Sequence, residues 1–172
     1  MKLLFSFIFI LFYANASDLK DIKSFQSSFT QSIVNNSGKE ILYNGTIYIK
    51  EPAKVLWNYN DPIIKNVYIL ENRVTIIEPD LEQAIVSTLK EEINILDLLK
   101  NAIKISSFKY EASLYDRTYL LTIKNGILTQ INYTDEIENK VTISFKNILQ
   151  NKDMPDDIFD FSIPNDYDII RK

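Results

Sequence analysis

The chain contains neither histidine nor cysteine among its 172 residues. Without histidine it cannot form a Ser-His-Asp or Cys-His catalytic group, and most zinc and iron sites are excluded. Without cysteine it has no disulfide, no thiolate nucleophile and no iron–sulfur ligands. Glycine is also scarce, at three residues, which argues against glycine-rich loops that bind phosphate. We therefore expect no catalytic residues, no metal site and no cofactor.

The charges point to no particular ligand. The net charge is −4, and no basic patch predicts binding to nucleic acid. Two carboxylates alone can hydrolyse a glycosidic bond, so an exported carboxylate hydrolase stays open as a function. Because acidic residues are scattered along the whole chain, they give that hypothesis almost no support.

The residues that are present suit one β-rich domain. Hydrophobic residues make up 46% of the chain and charged residues 24%, as in an ordinary globular protein. Tyrosine and phenylalanine number ten each. Aromatic and β-branched residues favour strands.

The first residues have the pattern of a signal peptide. Lys2 supplies a positive charge, residues 3–13 form an apolar run, and a small-x-small cleavage site ends at Ala16. The run is shorter than the roughly 20 apolar residues of a membrane-spanning helix, although a retained anchor is the alternative. We expect removal of residues 1–16 and one exported domain at residues 17–172. With no cysteine at the cut, that domain cannot carry a lipoprotein-type anchor.

Apolar and polar residues alternate with a period of two along residues 45–50 and 54–58, which are joined around Pro52. This period gives a strand one dry and one wet face. Later segments repeat it with the same parity, so the odd-numbered residues are expected to face one concave interior. The predicted interior set is Ile47, Ile49, Val55, Trp57, Tyr59, Val141, Ile143, Phe145, Phe159 and Phe161.

Turn signals separate a longer series of strands, and Asn-Gly at residues 125–126 is the strongest hairpin signal. Gly45 interrupts the dry face and predicts a bulge or a close contact. Such a series predicts a mainly β protein whose antiparallel sheet curls strongly or forms a barrel. Besides the two strands above, the predicted strands are 25–34, 66–70, 74–78, 81–87, 108–114, 118–124, 127–133, 140–147 and 158–163.

Residues 91–105 depart from the β pattern. Ile95, Leu96, Leu98 and Leu99 recur at spacings of three and four, which predicts an amphipathic helix. Such a helix either fills the core of the sheet or covers an opening as a lid. The residue pattern by itself favours the filled core.

Four short motifs follow one another along the chain. They are Phe-x-x-x-Phe-x-Gln at 25–31, Gly-x-Ile-x-Ile-Lys-x-Pro followed by Trp at 45–57, Pro-Asp-Leu-Glu-Gln at 79–83, and Phe-x-Phe-x-x-Pro at 159–164. Each is weak alone, but their order and the signal peptide make the combination fairly specific. In this the chain resembles the LolA family of periplasmic carriers of outer-membrane lipoproteins.

The resemblance implies an incomplete antiparallel β-barrel in which short helices form a lid over a hydrophobic cavity. It implies a periplasmic carrier, not an enzyme, that shields lipoprotein acyl chains between an ABC-type release complex of the inner membrane and the outer membrane. An outer-membrane acceptor is a further partner that it suggests, and a monomer is expected. The resemblance assigns the concave set to lipid binding and Ile95, Leu96, Leu98 and Leu99 to the lid. A carrier for another amphiphile, such as a glycolipid or a fatty acid, is the alternative.

Glu51 departs from the family pattern, which has arginine before the proline. The resemblance implies that this arginine latches the barrel to the lid by donating hydrogen bonds, which a carboxylate cannot do. Lys50 and Lys54 are the nearest replacements, and Glu51 could instead accept a bond from a lysine or a helix N-terminus. We expect Glu51→Arg to be tolerated and to favour the closed lid.

Overall fold

A computed structural model describes residues 21–88, 95–114 and 116–172. These residues form one 12-stranded sheet in the order β12-β6-β5-β4-β3-β2-β1-β11-β10-β9-β8-β7. The helix is α1, Ile95–Lys100, and two 3₁₀ turns span Pro79–Leu81 and Asp156–Phe159. The strands are β1 Ser24–Val34, β2 Glu40–Lys50, β3 Lys54–Asp61, β4 Lys65–Leu70, β5 Arg73–Glu78, β6 Gln83–Thr88, β7 Ile103–Lys104, β8 Lys109–Leu114, β9 Arg117–Lys124, β10 Ile127–Thr134, β11 Lys140–Gln150 and β12 Asp168–Arg171.

Neighbouring strands pair antiparallel, except β12, which lies parallel to β6. The predicted mainly β, single-sheet fold is confirmed, and the strands from β1 to β5 and from β8 to β11 overlap the segments predicted as strands. This agreement follows from local pattern, because a half-buried strand needs apolar residues at every second position.

Three predicted elements differ from the structure. The predicted strand at 158–163 is the end of a 3₁₀ turn followed by irregular chain, whereas β12 was not predicted. Leu81 lies in a 3₁₀ turn before β6. The predicted helix at 91–105 is described only from Ile95 and ends at Lys100, and Ile103 belongs to the edge strand β7. The start of that predicted helix, residues 91–94, lies outside the described residues.

Gly45 lies where two elements come too close for a side chain. A Cβ atom there would be 2.1 Å from the Asn58 carbonyl oxygen and 2.8 Å from the Phe29 ring. Phe29 and Gly45 are cross-strand partners, and the β2–β3 register shifts between Asn44 and Gly45. The predicted bulge or close contact is confirmed, and both occur.

The sheet buries apolar side chains on both faces. The inner cluster unites residues of β1 to β5 and of β8 to β11 with α1, so the sheet wraps around it. The outer cluster consists of Leu56, Tyr68, Ile77, Met154 and Phe159 with the half-buried residues around them. The near-continuous apolar sequences of β4 and β5 follow from this arrangement, because both of their faces are covered.

Candidate functional site

Most of the predicted interior set lies together on the concave face. Within the inner cluster are Ile47, Ile49, Val55, Trp57, Val141, Ile143 and Phe145, and Tyr59 packs against its margin. Register explains the grouping, since Ile47 pairs with Trp57 and Ile49 with Val55 across β2 and β3. Cross-strand partners share a face of the sheet, so a common parity brings them to one surface.

Phe159 and Phe161 are corrections to that set. Both pack in the outer cluster, where the Phe161 ring stacks on Tyr68 with centroids 4.3 Å apart. They pack against Leu56 of β3 and Tyr68 of β4, even-numbered residues whose side chains point to the outer face of the sheet. Residues 158–163 are not a strand of the sheet, so odd or even numbering does not determine which face their side chains occupy.

Aromatic rings line the middle of the concave face. Phe29 meets Trp57 and Tyr59 edge-to-face, with centroids 5.0 and 5.1 Å apart. The Tyr59 hydroxyl donates a hydrogen bond to Gln31 Oε1 at 3.1 Å. Phe25 and Phe29 are interior residues that the predicted set lacks. Their spacing of four residues suits both a strand and a helix, so it did not indicate which face they occupy. Further interior residues not predicted are Tyr119, Leu121, Leu128 and Ile131.

Helix α1 packs its apolar stripe into the concave interior. Its residues Ile95, Leu96, Leu98 and Leu99 are only 0–3% exposed and belong to the inner cluster with Trp57. Packing of this apolar stripe against the inner cluster stabilises α1. Any apolar ligand of the concave face must therefore displace α1 or share the space with it.

An ion pair links α1 to the β2–β3 turn. Lys100 Nζ, at the end of α1, lies 2.9 Å from Glu51 Oε1, and the side chains are 40% and 32% exposed. Glu51 thus accepts a bond from a lysine, which is one of the alternatives that the sequence leaves open. Glu51→Arg would place two cations together, so the expectation that this change favours closure loses its basis.

Lys50 and Lys54 hold the C-terminal segment instead. Both ammonium groups approach Asp156 Oδ1, at 2.9 and 3.2 Å, and Lys50 Nζ also donates to the Met154 carbonyl oxygen at 2.6 Å. The hydrogen bond from Lys50, followed by that from Lys54, lowers the pKa of the Asp156 carboxyl below its ordinary value. These contacts hold the segment around residues 154–159 against the outer cluster, which contains Met154 and Phe159.

The two ends of the concave interior differ in exposure. At the end formed by turns 51–53, 71–72 and 125–126, named here the closed end, inward residues are buried around α1. At the end formed by turns 35–39, 62–64, 79–82 and 135–139, named the open end, the inward residues of β1, β3 and β10 are partly exposed, whereas Val141 of β11 is buried. Along the strands, burial falls from Phe25 to Ile33, from Val55 to Tyr59 and from Leu128 to Tyr133.

A separate groove of about 460 Å³ lies on the outer face, between the closed-end turns and Phe161. Lys54, Tyr68 and Arg73 contribute to its lining. Burial raises the pKa of the Tyr68 hydroxyl, so this side chain stays neutral at physiological pH. The groove is on the wrong side of the sheet to be continuous with the concave interior.

The fold and the site together define a class of protein: an open, strongly curved β-sheet with an apolar concave interior that a short helix fills. Among the described residues, no helix has the length and apolar content needed to cross a bilayer. The model of the family "Outer membrane lipoprotein carrier protein LolA" matches residues 20–162. The chain belongs to the LolA family.

Individual relatives agree with this assignment. The chain is 36% identical over 154 residues to the outer-membrane lipoprotein carrier protein of Wolinella succinogenes, covering 89% of this chain and 90% of that protein. It is also 36% identical over 166 residues to the carrier protein of Campylobacter jejuni, covering 95% and 96%. An uncharacterized conserved protein from Thermus thermophilus shares the fold, with a TM-score of 0.55 at 9% identity over 91% of this chain and 95% of that one.

Proposed function

We propose that the protein carries outer-membrane lipoproteins through the periplasm, with their acyl chains held on the concave face. The relatives named above are called outer-membrane lipoprotein carrier proteins, and the similarity covers about nine-tenths of each chain or more. The observation that carries the proposal is the position of α1. The apolar stripe of α1 packs into the apolar interior that the sheet surrounds, and acyl chains would take the place of this helix.

The energetics allow acyl chains to replace α1. Moving its apolar side chains into water costs about 1.5–3 kcal/mol for each of Ile95, Leu96, Leu98 and Leu99. Each buried methylene of an acyl chain returns about 0.8 kcal/mol. Roughly eight to fifteen methylenes therefore offset the displacement, fewer than the acyl groups of one triacylated lipoprotein provide. Acyl chains transferred from water can therefore replace α1 in the interior.

The finer parts of the proposal follow from this role. The protein is exported by its N-terminal segment, which is removed after residue 16, and it works in the periplasm as a monomer that catalyses no reaction. It collects cargo from an ABC-type release complex of the inner membrane. The acyl chains bind along Ile47, Ile49, Val55, Trp57, Tyr59, Val141, Ile143 and Phe145 while α1 moves aside.

Trp57 makes this function measurable, because it is the one tryptophan of the chain and belongs to the inner cluster. The protein recovered from the periplasm is mixed with a purified triacylated lipoprotein in detergent, which is then removed. We expect a stable complex in solution and a changed Trp57 emission. The same lipoprotein without its acyl chains is the control, and it should neither be retained nor alter the emission.

Equal retention of the two lipoprotein forms would contradict the proposal, because binding would then not depend on the acyl chains. A native-state mass spectrum of the protein from the periplasm supplies an independent measurement. A free fatty acid or a glycolipid in place of an acylated protein would instead identify another amphiphile as the ligand.

A further inference from the structure

Four large apolar side chains stand exposed at the open end. Ile41 and Leu42 begin β2, and Ile63 and Ile64 form the β3–β4 turn. They are 43%, 48%, 42% and 50% exposed, respectively. The two pairs lie side by side, because Asn44 and Asp61, just inside them, are cross-strand partners whose side chains hydrogen-bond at 3.1 Å. We call these four residues the apolar rim.

At the closed end, the turns at 51–53, 71–72 and 125–126 consist of polar, small or proline residues, but the β7–β8 connection exposes Ile105 and Phe108 between Lys104 and Lys109. Two other open-end turns do expose an apolar residue, Leu81 and Ile137, but acidic residues flank both. Ile103, in the edge strand β7, is exposed as well. The apolar rim differs from these sets in three ways: its four apolar residues are neighbours, the charges around it are balanced, and it lies at the opening of the concave interior.

The rim is continuous with the exposed part of the interior. Ile41 pairs with Ile33, the last inward residue of β1, and Ile33 packs against the inner cluster. Tyr59, the last inward aromatic residue of β3, contacts Tyr43 edge-to-face with centroids 6.0 Å apart. An acyl chain that leaves the concave face at this end would thus pass directly from interior side chains to the rim.

A layer of amphipathic side chains lies just behind the rim. Lys65 Nζ is 4.6 Å from the centre of the Tyr59 ring and 5.7 Å from that of Tyr43. Tyrosine and lysine together are typical of the boundary between hydrocarbon and water, since each has an apolar body and a polar tip. Lys39 and Lys65 are matched by Glu40 and Asp61, so the surroundings of the rim carry no strong charge of one sign.

We propose that the apolar rim docks on a phospholipid bilayer, so that acyl chains move from the concave interior into the membrane without crossing water. This inference rests on the proposed carrier function. The rim enters the interface through its apolar side chains, and the net charge of −4 gives no attraction to anionic lipids. Neutral bilayers therefore suffice for docking.

The test uses the double variant Ile63→Asn/Ile64→Asn and vesicles of phosphatidylcholine and phosphatidylethanolamine. The matched control is Ile127→Asn/Leu149→Asn, at the closed end, whose side chains are 39% and 46% exposed. The empty proteins are mixed with vesicles and floated on a density gradient. We expect the rim variant to float at least about tenfold less than the parent protein, because two inserted side chains lose their transfer free energy. The control variant should float like the parent.

Cargo measurements separate this inference from the carrier function. The rim variant should hold acylated lipoprotein in solution as well as the parent does, yet deliver it to protein-free vesicles at least about tenfold more slowly. If the parent protein retains no acylated lipoprotein, the carrier function fails, whereas flotation of the empty protein still tests the rim.

Three results would overturn the docking. The first is a loss of flotation in the rim variant that is absent or is smaller than the loss of flotation in the variant Ile105→Asn/Phe108→Asn. The second is flotation that requires phosphatidylglycerol and disappears in 0.5 M salt, because lysines rather than the rim would then hold the membrane. The third is delivery by the parent only when a membrane protein is present in the vesicles, which would make the rim's partner a protein.

Discussion

The inner and outer apolar clusters are covered in different ways. The inner cluster is covered by α1, whose Lys100 forms a partly exposed ion pair with Glu51 of the β2–β3 turn. The outer cluster is covered by the C-terminal segment, which Lys50 and Lys54 fasten through Asp156 and which continues into β12. The inner surface of the sheet is thus covered by a helix that a ligand can displace, whereas the outer surface is covered by a segment that continues into a strand of the sheet.

The difference shows how a small sheet can hold a ligand without unfolding. Backbone hydrogen bonds between β12 and β6 keep the outer cover in place, whereas α1 buries an apolar stripe in the inner cluster. Apolar contact is not directional, so acyl chains can substitute for it, but they cannot substitute for a paired strand. The outer face therefore supports the fold while the inner face exchanges its contents.

The largest effect is expected from a matched pair of leucines, Leu99 in α1 and Leu56 in the outer cluster. Each change to alanine should lower the free energy of unfolding by about 2–5 kcal/mol in urea denaturation, because both side chains are buried. Leu99→Ala should also strengthen the binding of acylated lipoprotein several-fold, since the filled state becomes less stable. Leu56→Ala should leave that affinity unchanged. Equal affinities for the two variants would show that α1 is a fixed part of the core.

The next largest effect is expected from substitution of Gly45, which should change stability and packing at the inner face. Gly45→Ala forces a methyl group against the Asn58 carbonyl oxygen and the Phe29 ring, which should cost at least about 1–3 kcal/mol of stability. Phe29 contacts Trp57, so the tryptophan emission should shift as well. Gly38→Ala is the control, because that turn glycine meets nothing within 4 Å and carries only the strain of its φ of +80°. An unshifted Trp57 spectrum in Gly45→Ala would contradict the described packing.

The Glu51–Lys100 pair should have a smaller effect. It is partly exposed, so breaking it by Glu51→Lys or Lys100→Glu should favour displacement of α1 by less than about 1 kcal/mol. Quenching of Trp57 by acrylamide measures the accessibility of the interior. Each single variant should increase quenching slightly, and the double variant should restore the parent value. A double variant that quenches like the sum of the single variants would mean that the two charges do not interact.

The smallest effect concerns pH and the outer cover. The pKa of Asp156 is lowered by Lys50 and Lys54, so its contribution to stability is present above the ordinary aspartate pKa of about 3.9. That contribution is lost as the pH falls through the lowered pKa, because the proton removes the charge that the lysines bind. Asp156→Asn should therefore flatten the acid side of the stability curve. Asp157→Asn, at the neighbouring carboxylate, should leave the curve as it is, and equal flattening by both would argue against the Asp156 clamp.

Local pattern predicted most strands because their cause is local. The residues of β2 and β3 alternate, and alternation by itself defines which side chains share a face. The short strand β12 has no such pattern, since it pairs only through its position beside β6. Phe159 and Phe161 are odd-numbered like the interior residues and still lie on the outer face. Odd or even numbering relates side chains only among residues of paired strands. Sequence reasoning identified the buried stripe of α1 but not its partners.

The sequence by itself determined that strands dominate, that one face of each is apolar and that no histidine or cysteine chemistry takes part. These properties depend on residue type and on spacing over a few positions. Tertiary structure alone decided that Lys100 meets Glu51, that α1 fills the interior, and that Ile41 and Leu42 join Ile63 and Ile64 around the open end. Such contacts unite residues far apart in the chain, and their geometry comes from the curvature and register of the whole sheet, which no short window of sequence contains.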